Sequence, residues 1–197
     1  MSFASRSQGE HRRRVTDLRD LRALAHPLRI ALLDHLMSFG EQTAAQCAAS
    51  VGSTTSNCSY HLRALGRAGF VERAESEDGR ERPWRAAATG LSYGPAEADQ
   101  SPAAARAALV ADELSMAREE ELSRQARRRH AAQPQPWLTA ETFHDYALRI
   151  TAPELAQLTA EIDRLVRPYI AMTRPTAPQD AEPARVRLLA FRDPRTP

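Results

Sequence analysis

Ser56, Ser59, Tyr60, Arg63 and Arg67 recur at the spacing of one helix face, with Asn57 at its edge and Thr55 on its flank. Their groups are hydroxyls, an amide, a phenol and two guanidiniums. These side chains hydrogen-bond base edges and phosphates. A merely solvated helix face usually mixes Glu with Arg, and this one holds no acid and no large aliphatic. Nucleic-acid contact is therefore the stronger reading of the run Ser53 to Leu65. The opposite side carries Cys58, Leu62 and Leu65 at i, i+4 and i+7, a stripe that must be buried, with Thr55 and His61 flanking it.

The residues around this run supply the elements that would hold it. Thr43-Ala44-Ala45-Gln46 has the form of a capping box, which satisfies orphan backbone donors at a helix start. The short helix it opens (Ala45, Ala48, Val51) stops at Gly52, and Ser53 or Thr54 then caps the second helix. Helix, glycine turn, helix is a helix-turn-helix pattern. Behind it, Phe70 to Ala74 reads as a strand, Asp78-Gly79 as a hairpin turn, and Arg82 to Ala86 as the return strand. Pro83 removes a ladder donor, which predicts an edge or a kink there. Arg73, Arg80, Arg82 and Arg85 surround this hairpin and make it a basic wing.

Three linked motifs now stand in order: Leu24-Ala25-His26-Pro27-Leu28-Arg29, Cys58 to Leu65, and Gly69-Phe70-Val71-Glu72. Together they resemble the ArsR-type (ArsR/SmtB-like) winged-helix transcription regulators over residues 16–90, less than half of the chain. The resemblance implies a homodimer paired through helices flanking the winged helix, and a palindromic operator on double-stranded DNA. Many members respond to metals through a Cys-x-Cys pair on the first helix of the motif. Here Cys47 stands alone between Gln46 and Ala48, so Cys47, Cys58 and His61 make at best an incomplete soft site. Neither a metal nor a cofactor is expected, and the inducing signal stays open.

The remainder frames this domain. Residues 1–14 are polar and end in Arg12-Arg13-Arg14, so the segment 1–15 is readable as a flexible tail or as a basic arm lying on DNA. A helix from Thr16 or Asp17 presents Leu18, Leu21 and Leu24, and His26-Pro27 breaks it. His26 reads as a cap and His35 as a packing residue, since neither has a Cys or carboxylate at ligand spacing. Residues 91–102 read as a linker and 103–132 as a long dimerisation helix with a stripe at Val110, Leu114 and Ala117. Leu18 and Leu21 are secondary candidates for pairing.

Residues 137–197 are expected to form a small β-α-β unit serving dimerisation or an effector. Its strands would be Phe143 to Ile150 and Val186 to Phe191. Between them Thr151 to Glu154 is a second capping box, opening a helix with Leu155, Leu158, Ile162, Leu165 and Val166. Residues 174–183 form a proline-rich loop. Trp84, Trp137, Phe143, Tyr146, Tyr169 and Phe191 suit core packing better than a small-molecule pocket, although an effector of unknown identity remains among the expected partners.

Composition sets the outer bounds. A net charge of +2 means that any nucleic-acid affinity must come from local clusters. All 27 basic residues are Arg, which reflects a composition bias and carries no functional weight. Two cysteines cannot build a disulfide framework, and the polar start predicts no secretory leader. Phosphate loops, nucleophile elbows and zincin motifs are absent, and His144 and Asp145 are adjacent and so point to opposite faces of a strand. The expected protein is a non-enzymatic, cytoplasmic, mostly α chain with a β-hairpin wing, a homodimeric DNA-binding regulator and by resemblance a repressor. The alternatives are a winged-helix protein-interaction module, favoured by Glu75, Glu77, Asp78 and Glu81 on the hairpin, and a metal-responsive sensor.

Overall fold

A computed structural model describes residues 12–75, 82–93, 101–170 and 177–195. The chain divides into two compact units, Met1–Gln125 and Ala126–Pro197.

In the first unit, β1 (Arg12–Val15) leads into α1 (Leu18–Leu24) and α2 (Pro27–Phe39), followed by α3 (Ala44–Val51) and α4 (Thr55–Arg67). Then come β2 (Val71–Arg73), β3 (Trp84–Ala86), β4 (Gly90–Tyr93) and the start of α5 (Pro102–Arg129). The termini form for local reasons. Asp17 caps α1, the His26 ring caps α2 by accepting from the Leu28 N–H at 3.2 Å, and Pro27 occupies the first helical position. The Thr43–Gln46 capping box is closed in both directions. Gly52 ends α3 at φ 67°, where a side chain would be strained, and Thr54 caps α4. The core joins Leu21 and Leu24 of α1, Leu32 and Leu36 of α2, Cys47 of α3, the Cys58–Leu62–Leu65 stripe of α4, and Phe70, Val71 and Trp84. The chain is mostly helical with a small antiparallel strand pair, as its patterning predicts.

Several expectations need correction. Arg12–Val15 is a strand, paired in parallel with Gly90–Tyr93 in the register Val15↔Tyr93, so neither segment belongs to a loose arm or a linker. Val15 is fully buried, and that one apolar side chain anchors a segment whose neighbours read as a solvated tail. Residues 1–11 and 94–100 lie outside the described residues. Beside Pro83, β3 is an edge strand of a two-stranded sheet, as expected, with one isolated bridge on its other side. Pro83 itself stands one residue before the strand, its carbonyl accepts from the Ala74 N–H at 2.9 Å, and Trp84 exchanges both backbone bonds with Gln42 on the far side. The Asp78-Gly79 turn and Arg80 lie outside the described residues. Leu21 is a core residue with 1% of its surface exposed and offers nothing to a partner, while Leu18 is half-buried.

The second unit holds α6 (Gln135–Ala140) and α7 (Ala152–Val166), each followed by extended chain or a tight turn. The Thr151–Glu154 capping box is closed. The two expected strands do not form: among the described residues, 143–150 and 186–191 are in no ladder, so the β-α-β expectation for this unit is replaced by a helical one. Alternation specifies a ribbon with one apolar face, but a strand exists only with a bonded neighbour. Leu148, Leu188 and Phe191 remain exposed, and no described residue of this unit is buried.

Candidate nucleic-acid interface

Helix α4 presents its two faces as its sequence dictates. Cys58, Leu62 and Leu65 have no exposed surface, and His61 is buried beside them. Thr55, Ser56, Asn57, Tyr60, Arg63 and Arg67 are exposed and Ser59 is half-exposed. Tyr60, at 61% exposure, is a large ring held out in solvent on a rigid helix. Arg63 extends this exposed polar face one turn further along α4. The Asn57 amide donates to Ser53 Oγ at 3.1 Å, and its backbone N–H donates to the capping Thr54 hydroxyl at 3.2 Å. The first turn of this helix is thus ordered with its polar tips outward.

Beneath the exposed face lies a cationic and aromatic layer that sequence reasoning missed. The His26 and His61 rings stand 4.3 Å apart, and Tyr60 meets His61 edge-on at 5.1 Å. Burial lowers both histidine pKa values, with the nearby Arg29 charge acting in the same direction, so the pair is neutral at pH 7. Arg29 is half-buried next to Tyr60, with its Nε unpaired. Its place in the motif Leu24-Ala25-His26-Pro27-Leu28-Arg29 was the signal available, because the fold brings α2 and α4 together and the sequence does not.

The cysteines are not poised for thiolate chemistry. Both are buried, and burial pushes the Cys47 thiol up to about 11, with Cys58 adding to the rise. Among the described residues no three His, Cys, Asp or Glu side chains converge as a metal would need.

The wing is less cationic than its composition. Arg85 donates to Glu72 at 2.9 Å and pairs with Glu41 at 3.5 Å, and these contacts raise its pKa. Arg73 lies over the Trp84 ring, 3.9 Å from its centroid, and donates to the Arg82 carbonyl. Arg82 is exposed. Gly66 on α4 lets the wing close in, since a Cβ there would sit 3.2 Å from the Trp84 ring. The structure therefore puts Thr55, Ser56, Asn57, Ser59, Tyr60, Arg63 and Arg67 on the outward side of α4, leaves Arg82 exposed ahead of β3, and folds Arg73 back onto the hairpin.

Helix pair, αL glycine turn, exposed second helix and two-stranded hairpin define a winged helix-turn-helix. Residues 24–74 match the helix-turn-helix domain family, and the linked motifs resemble those of ArsR-type regulators. Among solved structures, the chain is similar to a homodimeric winged helix-turn-helix DNA-binding domain from Mycobacterium bovis, a possible ArsR-family transcriptional regulator. Identity is 28% over 51% of this chain and 77% of that one, with a TM-score of 0.33. A second similar structure is a MarR-family protein of Mycobacterium tuberculosis in complex with salicylic acid. There identity is 18% over 75% of this chain and 87% of that one, with a TM-score of 0.29. No curated protein matches. No helix among the described residues is long and apolar enough to cross a membrane.

Proposed function

We propose that this chain is a sequence-specific, DNA-binding transcription regulator of the ArsR type, acting as a cytoplasmic homodimeric repressor without enzymatic activity. One observation carries the reading. The outward face of α4 exposes Thr55, Ser56, Asn57, Tyr60, Arg63 and Arg67 without an acid among them, above a stripe with no exposed surface. Thr55, Ser56, Asn57, Ser59, Tyr60 and Arg63 would read base edges in the major groove. Arg67, Arg82, Arg80 and, once swung off Trp84, Arg73 would hold phosphates.

Pairing would run along α5. Ala104 and Ala111 are buried and Arg118 reaches Asp34 at 3.6 Å, so one side of the helix rests on its own unit. Val110 at 38% and Leu109 at 58% exposure stay outside, with Ala117 exposed and Leu114 half-buried on the flank. A two-fold partner would cover this stripe and match a palindromic operator. The effector and any role of the second unit in sensing it belong to the same proposal.

Sequencing duplexes selected from a random pool tests the reading. A palindromic motif is the expected result, and a pool with no enriched motif would contradict it. The protein-interaction alternative draws on the neutralised Arg85 of the wing. It predicts no duplex affinity at any salt concentration.

A further inference from the structure

The last carbonyls of a helix have no partner within it and must find one elsewhere. At the end of α4, two find one locally in a Schellman turn. Phe70 N–H donates to Leu65 O at 3.0 Å and Gly69 N–H to Gly66 O at 3.0 Å, with Gly69 at φ 70°. The next three carbonyls are met from the N-terminal segment. Arg19 of α1 donates to Arg67 O at 3.2 Å, while Arg13 of β1 donates through Nη2 to Ala68 O at 3.0 Å and through Nη1 to Gly69 O at 2.7 Å. Arg13 also lies over the Phe70 ring at 4.1 Å and pairs with Asp20. Both terminal nitrogens of its guanidinium are therefore engaged by this chain, with 27% of the side chain left exposed, and a cation there complements the negative end of the α4 dipole.

We propose that Arg13 is a positioning residue for α4: from β1 it clamps the C-terminal turn and fixes the angle at which the outward face meets DNA. This rests on the DNA-binding reading above. It assigns Arg13 a role opposite to that of a phosphate-binding arm, because a side chain closed over two carbonyls, a carboxylate and a ring contributes no counterion release.

The test uses the full chain with Arg13→Gln, and with Asp20→Asn as a milder variant that leaves the arginine in place. Duplex affinity is measured across salt concentrations, alongside amide hydrogen exchange at Gly69 and Phe70. Expected for Arg13→Gln is about tenfold weaker binding with the salt slope of the wild type, and faster exchange at the turn. Asp20→Asn should move both readouts the same way by less. A salt slope reduced by about 0.9 would make Arg13 a phosphate contact and overturn the clamp. Unchanged affinity with faster exchange would overturn positioning and leave only a structural cap. A wild-type chain with no duplex affinity sinks the DNA reading instead, and exchange in that same protein still decides whether the clamp exists.

Discussion

Helices α4 and α7 are built from the same local instructions and end differently. Each starts at a threonine cap and each gathers its apolar side chains on one face. In α4 that face is sealed, with Cys58, Leu62 and Leu65 at no exposure. In α7 no residue is buried, and Leu165 is 67% exposed. Capping and periodicity decide that a helix forms and which side is apolar. Whether that side becomes part of a core depends on what the rest of the chain brings to it.

The sharpest way to break this comparison is a matched truncation. Leu62→Ala should cost about 2–5 kcal/mol, as buried large-to-small changes do. Leu158→Ala on α7 should stay within about 0.5 kcal/mol, since the side chain is not buried. Chemical denaturation of both variants decides it, and equal losses would mean that α7 has a packed face after all. A smaller effect separates the caps. Thr43→Ala should lower global stability by about 1 kcal/mol, because its helix is built into the core. Thr151→Ala should reduce helical signal without moving the main unfolding midpoint.

The histidines sharpen the contrast further through pH. His26, His35 and His61, all in the first unit, are held below the ordinary 6.5 by burial first. Their unfolded forms therefore bind protons that the folded forms refuse, so stability is highest above pH 6.5 and falls as pH drops through the unfolded value. Thermal melts at stepped pH should show this decline, and His61→Gln should shallow it. A midpoint that rises on acidification would mean the pair gains a partner when charged.

The same contrast explains what was legible. The winged helix could be read because its signals are local and agree with one another: the Thr43 box, Gly52, the Cys58–Leu62–Leu65 stripe, and strands on either side of Asp78-Gly79. The polar face of α4 followed from the same wheel. Three things could not be read. Arg13 looked like an arm because its partners lie 55 and 56 residues away in sequence. Arg29 became part of the site only when α2 met α4. The β-strand pattern at 143–150 predicted pairing that depends on a neighbour the pattern does not specify.

The central claim is that the acid-free face of α4 binds DNA, and titrating duplex affinity against salt for the wild type and Arg63→Ala tests it most directly. The account predicts wild-type affinity that falls linearly on a log-log scale with a slope of several units. Arg63→Ala should keep an unchanged melting midpoint and lose at least about tenfold in affinity for a selected site, since a bidentate base contact discriminates by about 1–3 kcal/mol. Salt-independent binding, or an Arg63→Ala variant that binds the selected site as the wild type does, would contradict it.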